Sequence, residues 1–289
     1  MFKQLIHLAR PHQWTKNLLC FAGVVFGGRF AQDEITRACL VAVAFCLGSS
    51  AIYVLNDILD RDRDREHPKK CNRPIASGAI SIPVAALFGL LLAAAALGGT
   101  WYLGQEAFTC MALLLAINVA YSIWLKHMAI LDVFCIASGF VLRLIAGIYV
   151  VGEYPTTWIT LCTFFLAMFF GFAKRRAELH SLSEQDSSQR PVLESYSVSY
   201  LDDLLNSAAT ITIMCYALFT VTTDKTPSLV LTLPFVYYGI VRYKRLVTVT
   251  TDTEEPERVV FRDYRILLTF ILWLVTYLVI EAWAPQLFR

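Results

Sequence analysis

The chain has 289 residues, of which 57% are hydrophobic and only 17% charged, against about 25% charged in an ordinary soluble domain. Its formal net charge is +2, and its eight cysteines include no CxxC pair. These values exclude a disordered chain, a collagen-like fibre and a disulfide-stapled miniprotein, and they argue against a soluble two-domain enzyme.

The apolar residues fall in runs of about 20, the length a helix needs to cross a bilayer at 1.5 Å rise per residue. In chain order the predicted spans are Trp14–Phe30, Thr36–Leu59, Ile82–Tyr102, Glu106–Leu125, Ala129–Val151, Thr157–Ala173, Leu204–Val221, Pro227–Leu246 and Arg265–Trp283. The seventh carries Asn206, Ser207, Thr210 and Thr212, so it is expected to face protein rather than lipid. No strand-turn rhythm appears, and backbone groups in lipid must be satisfied within helices or closed barrels. The expected fold is therefore an all-α integral membrane protein of nine transmembrane helices, one domain over residues 1–289. The N-terminus shows no signal-peptide cleavage pattern.

Lys and Arg set the expected orientation. Twenty of the 25 cations fall before the first span or in the loops after even-numbered spans, including Arg61–Arg73, Lys126, Lys174–Arg176 and Arg242–Arg265. Four lie on the other side and Arg143 lies inside the fifth span. The N-terminus and the polar loops are expected in the cytoplasm of a plasma-membrane protein, with the C-terminus outside.

The main chemical signal is Asn56-Asp57-Ile58-Leu59-Asp60-Arg61-Asp62-Arg63-Asp64, at the cytoplasmic end of the second span. On a continuous helix at about 100° per residue, with Asn56 at zero, Asp60 falls at about 40°, Asp64 at about 80° and Asp57 at about 100°. Carboxylates sharing one face repel each other unless a cation joins them. Mg²⁺ takes oxygen ligands and characteristically bridges one or two carboxylates to substrate phosphates. His67-Pro68-Lys69-Lys70-Cys71-Asn72-Arg73-Pro74-Ile75-Ala76-Ser77-Gly78 follows as a shaped loop with three cations. Acids for a metal beside cations for phosphate oxygens are what a pyrophosphate requires. A solvated, salt-bridged helix end is the competing interpretation.

These features resemble the UbiA superfamily of membrane prenyltransferases over nearly the whole chain. The resemblance rests on the N-D-x-x-D-x-x-x-D pattern of Asn56–Asp64, on Arg73–Gly78 and on the nine spans. More narrowly the chain resembles the decaprenyl-phosphate phosphoribosyltransferase branch, through Arg10-Pro11-His12-Gln13-Trp14-Thr15-Lys16-Asn17, Leu131–Phe134, Val141-Leu142-Arg143 and Gly171–Leu179. Where ordinary members carry a second Asp-rich motif, this chain has Lys174, Arg175, Arg176 and a single acid, Glu178. A Tyr-x-x-x-Lys pattern is only approximated by Tyr121 and Lys126.

The resemblance implies a helical bundle with a cytoplasm-facing polar cavity. It implies transfer of 5-phosphoribose from phosphoribosyl pyrophosphate to a polyprenyl phosphate such as decaprenyl phosphate, with Mg²⁺ as cofactor and a place in cell-wall arabinan synthesis. Asp57, Asp60 and Asp64 are the expected Mg²⁺ ligands, with Asn56 orienting them. Lys69 and Arg73 are assigned to pyrophosphate. Lys174, Arg175 and Arg176 are assigned to the 5-phosphate or the lipid phosphate, or serve as a cytoplasmic anchor. Lys126 joins the substrate-binding set. Lys16 sits where a lipid phosphate would lie, or simply snorkels. Arg143, expensive in a membrane, needs a partner from another span or a ligand phosphate. It lies about 16 Å along the helix from Asp132, too far to pair with it. Tyr196 and Tyr200 are candidates for the ribose, and His67 is expected to shape its loop. No nucleic-acid partner is expected, and a homo-oligomer is left open. The rivals are a prenyltransferase moving a prenyl group from a lipid diphosphate to an aromatic acceptor, and a transporter of anionic lipids or metabolites.

Overall fold

A computed structural model describes residues 2–68, 70–182, 191–222, 227–249 and 263–287, so Lys69, Arg190, Lys225, Arg258, Arg262 and Arg289 lie outside the described residues. All regular elements among the described residues are helical. In order they are α1 (Phe2–Ala9), a 3-10 helix (Pro11–Phe21), α2 (Ala22–Gly27), α3 (Gln32–Leu59), α4 (Arg61–Glu66), α5 (Ile82–Leu103), α6 (Gln105–Ile123), α7 (Leu131–Tyr149), α8 (Thr157–Leu182), α9 (Val198–Thr222), α10 (Leu233–Val249) and α11 (Tyr264–Leu287). Short 3-10 turns fall at Lys70–Asn72, Leu125–His127, Pro191–Ser195 and Pro227–Thr232.

Seven helices among the described residues are long and apolar enough to cross a membrane: α3, α5, α6, α7, α8, α9 and α11. The first expected span, Trp14–Phe30, is not one α-helix. It is a 3-10 helix followed by the six-residue α2. Tertiary bonds hold it in this form. The Trp14 indole donates to Ser50 Oγ at 3.1 Å, and Asn17 Nδ2 donates to Cys46 Sγ. Its backbone also presses against α7. A Cβ on Gly147 would come 2.1 Å from the Cys20 carbonyl oxygen, and one on Gly23 would come 2.4 Å from the Gly147 carbonyl oxygen. The eighth expected span is likewise a short 3-10 turn leading into α10, which has 17 residues.

The chain packs as two compact units. One comprises Met1–Lys126 and Ser138–Pro155, the other His127–Ala137 and Thr156–Arg289. In the first, α3 is the central helix and packs on α5, α6, α1 and the 3-10 helix. Asp33 and Glu34 in its first turn suit the positive end of the helix dipole. Its buried face includes Gly48, Ser49, Ser50 and Ala51, small enough for close neighbours: Gly48 faces Met111 of α6, and Gly89 of α5 faces Val54. A second apolar cluster of Leu8, Val54, Ile75, Ile80 and Ala85 holds α1 and the loop after α4 beneath the end of α3. In the second unit, α8 packs on α9 and α10 on α11.

Candidate functional site

The acidic helix end is built by α3, α4 and the loop after them. α3 stops at Leu59 and α4 resumes at Arg61, yet Asp60 N donates to Asn56 O at 2.9 Å and Asp64 N to Asp60 O at 2.8 Å. The helical path therefore carries through the junction. Asp57 and Asp64 are two turns apart and share a face, and both are buried, at 2% and 3% exposure. The loop returns Arg73 beneath them. Ile75 and Ile80 anchor it in the apolar cluster, Ile80 N donates to Pro74 O at 3.0 Å, and Arg65 Nε donates to Ala76 O at 3.1 Å. Arg73 Nη1 then donates to Asp64 Oδ2 at 2.6 Å and to Asp57 Oδ1 at 3.1 Å. Arg10 donates from Nη2 to the same Asp57 oxygen, with its guanidinium over the Tyr53 ring at 5.1 Å from the centroid. Burial pulls the Arg10 guanidinium below its ordinary pKa, while Asp57 opposes the shift. Asp60 is held separately by Lys126 Nζ at 2.8 Å, and Asn56 Oδ1 accepts from Ser122 Oγ.

Three acids thus meet three cations of the same chain. Among the described residues, no three His, Cys, Asp or Glu side chains are gathered to hold a metal ion. Asp57 and Asp64 nevertheless offer carboxylate oxygens to one cationic nitrogen. Mg²⁺ takes one or two carboxylates plus phosphate oxygens and water. The Asp57–Asp64 donor set fits such an ion once Arg73 yields its place.

Arg143 finds its partners within the first unit. Nε donates to Asn17 Oδ1 at 2.7 Å, Nη1 to Gly139 O at 2.6 Å and Nη2 to Ser49 Oγ at 2.8 Å. These three acceptors are neutral. Arg143 and Asp132 do not pair, as their separation along α7 requires. Lys16 donates to Gln13 Oε1 at 2.7 Å. His67 Nδ1 accepts from Lys70 N at 3.3 Å, which shapes the loop.

In the second unit the Lys174–Arg176 run is threaded with acids. Arg175 is 1% exposed; its Nε donates to Asp132 Oδ2 at 2.7 Å and its Nη1 to Glu178. Arg176 Nε donates to Asp202 Oδ1 at 2.7 Å and Nη1 to Val247 O at 3.0 Å. Lys174 is half-buried. Tyr196 OH accepts from Ile130 N and donates to Asp132 Oδ1 at 3.3 Å. Ile130 has φ +70°, a region that costs a β-branched residue energy. Burial pushes the Tyr196 hydroxyl up to about 12, so it remains a donor at neutral pH. Tyr200 is exposed and stacks on Tyr196 at 6.4 Å between centroids.

Sequence reasoning placed Asp57, Asp60, Asp64 and Arg73 together and missed the roles of Arg10, Ser122, Asn17 and Ser49. Arg10 could have been found, since it stands before Pro11 at the point where the chain must turn. Its left-handed backbone, φ 51°, marks that turn. The other three are ordinary polar residues whose partners are set by packing alone.

The sequence model of the UbiA prenyltransferase family matches residues 17–264. The chain is 35% identical to a decaprenyl-phosphate phosphoribosyltransferase of Mycolicibacterium smegmatis, over 94% of this chain and 90% of that protein. It is 31% identical to the protein of that name in Mycobacterium tuberculosis, over 94% of this chain and 92% of the relative. Its fold matches a UbiA homolog from Archaeoglobus fulgidus solved with GPP and Mg²⁺, at TM-score 0.76 and 21% identity, covering 96% of this chain and 99% of that one. A match spanning most of the chain, joined to the acidic helix end and the helical fold, decides the assignment: this chain belongs to the UbiA prenyltransferase family.

Proposed function

We propose that this protein is a Mg²⁺-dependent enzyme that transfers 5-phosphoribose from phosphoribosyl pyrophosphate to a polyprenyl phosphate, releasing pyrophosphate. The single observation that carries this reading is the likeness, over 94% of the chain, to relatives named decaprenyl-phosphate phosphoribosyltransferases. The local chemistry supports it: an acidic face interleaved with Arg10, Arg73 and Lys126.

In the reaction, an oxygen of the lipid phosphate attacks the anomeric carbon of the ribose. The bond from that carbon to the pyrophosphate oxygen breaks, and the electron pair leaves with pyrophosphate. A phosphate monoester is ionised at neutral pH, so no strong general base is required. Positioning and stabilisation of the leaving group dominate. Asp57, Asp60 and Asp64 would hold the Mg²⁺, with Asn56 orienting them, and the bound ion would neutralise developing charge on the pyrophosphate. Lys69 and Arg73 bind pyrophosphate oxygens by charge-assisted hydrogen bonds, and Lys126 joins them. Lys16 meets the lipid phosphate at the membrane surface. Lys174, Arg175 and Arg176 serve the 5-phosphate or the lipid phosphate, Arg175 and Arg176 from positions where they also meet Asp132, Glu178 and Asp202. Arg143 and Tyr200 complete the substrate-binding set, Tyr200 towards the ribose.

The chain is a multi-pass membrane protein. We read residues 1–289 as one catalytic domain with nine crossings, a cytoplasmic N-terminus, an outer C-terminus and a polar cavity and active site on the cytoplasmic side of the plasma membrane. The two segments beyond the seven long helices are long enough for this. At roughly 2.0 Å per residue for 3-10 and 1.5 Å for α geometry, Pro11–Gly27 reaches about 31 Å and Pro227–Val249 about 37 Å. If the lipid is decaprenyl phosphate, the product feeds cell-wall arabinan synthesis.

The test supplies purified protein and Mg²⁺ with either phosphoribosyl pyrophosphate and polyprenyl phosphate, or a prenyl diphosphate and an aromatic acceptor. Turnover of the first pair alone is expected. Turnover of the second pair alone refutes the reading.

A further inference from the structure

The acid cluster is electrically complete without a metal. Asp57 Oδ1 accepts from both Arg10 and Arg73, Asp64 accepts from Arg73, and Asp60 accepts from Lys126. A divalent cation reaching Asp57 and Asp64 must therefore displace guanidinium groups, and a displaced, partly buried guanidinium needs another anion. Pyrophosphate is such an anion. Both arginines are placed to change partner: their side chains are 21% and 28% exposed, whereas the two carboxylates they hold are 2% and 4% exposed. Arg10 is built for the position rather than resting there. Its backbone is left-handed, a cost for a residue with a side chain, and its guanidinium lies over Tyr53.

We propose that Arg10 and Arg73 are exchangeable counter-ions, neutralising Asp57 and Asp64 in the free protein and passing to pyrophosphate when a divalent cation takes the carboxylates. This deepens the proposed function and rests on it. Arg10 is thereby a ligand of the substrate's pyrophosphate. Metal and anion bind with positive coupling, because each occupies the partners that the other releases.

Two direct binding measurements on the full chain in detergent test this. Mn²⁺ binding without phosphate is read by electron paramagnetic resonance, and retention of labelled pyrophosphate in the presence of Mn²⁺ is read by equilibrium dialysis. Arg10→Gln removes an internal competitor for Asp57 and a ligand for the anion. Its affinity for Mn²⁺ alone is expected to rise, and its retention of pyrophosphate with Mn²⁺ to fall, each by at least about fivefold. Arg10→Lys, which keeps a cation, is expected to return both values towards the parent. If Arg10→Gln does not fold, Arg73→Gln carries the same two readings. Unchanged or weaker binding of Mn²⁺ alone in the variant overturns the exchange and leaves Arg10 a fixed structural partner. A parent protein that retains no pyrophosphate with Mn²⁺ overturns instead the reading of this cluster as a metal–pyrophosphate site.

Discussion

Asp132→Asn is the most informative single change in the second unit. Asp132 is fully buried, and it faces Arg175, itself 1% exposed. The substitution preserves shape and one acceptor oxygen for Arg175 Nε, and it removes the charge. Breaking a buried ion pair outright costs about 3–5 kcal/mol. Here Glu178 still accepts from Arg175 Nη1, so the guanidinium keeps one carboxylate. The loss should then approach the value of one hydrogen bond to a charged group, about 1.5–3 kcal/mol. At about 2–4 °C per kcal/mol, the melting temperature should fall by roughly 3–12 °C. The assay is thermal unfolding of the detergent-solubilised protein by intrinsic fluorescence. The double variant Asp132→Leu/Arg175→Met removes both charges and should recover part of the loss, since apolar replacement of a whole buried pair is often neutral. If Asp132→Asn melts within 1 °C of the parent, or the double variant is worse than the sum of its singles, the buried Asp132–Arg175 pair does not stabilise the fold.

Other changes follow from the same contacts. Gly147→Ala puts a Cβ 2.1 Å from the Cys20 carbonyl oxygen, backbone against backbone, and should lower stability by about 1–3 kcal/mol in the same melting assay. Asp57→Asn and Asp60→Asn should each reduce Mg²⁺-dependent turnover by more than about a hundredfold, the upper range for losing a group that merely supports a metal ligand. Unchanged turnover in both variants removes the metal assignment. Chelation with EDTA should abolish turnover yet leave the melting temperature within about 1 °C, because Arg10, Arg73 and Lys126 neutralise the acids without metal.

The long helices were legible because a bilayer imposes length and composition on any segment that crosses it. The expected span Thr36–Leu59 is α3 from Gln32, and Ile82–Tyr102 is α5 to Leu103. Trp14–Phe30 is a 3-10 helix followed by α2 rather than one helix, because its form depends on partners far away in sequence: Ser50, Cys46 and the backbone at Gly147. The acidic face was legible from helical angle alone. Asp57 and Asp64 lie nearest each other on the wheel, and they are the pair that shares Arg73. Asp60, farther round, goes to Lys126. What periodicity could not supply was the choice of counter-ion. Arg10 and Ser122 arrive from elements 47 and 66 residues away. The same holds for Arg175 and Arg176. As a run of cations they read as a phosphate site, and only the folded chain shows Asp132, Glu178 and Asp202 against them.

In the proposed reaction a phosphoribosyl group, and not a prenyl group, moves. Phosphoribosyl pyrophosphate labelled separately in the ribose and in the β-phosphate, incubated with purified protein, Mg²⁺ and polyprenyl phosphate, tests it directly. Ribose label is expected in the organic-phase lipid and phosphate label in water as pyrophosphate. Ribose label that stays in the aqueous phase, under conditions where a prenyl diphosphate is consumed, contradicts it.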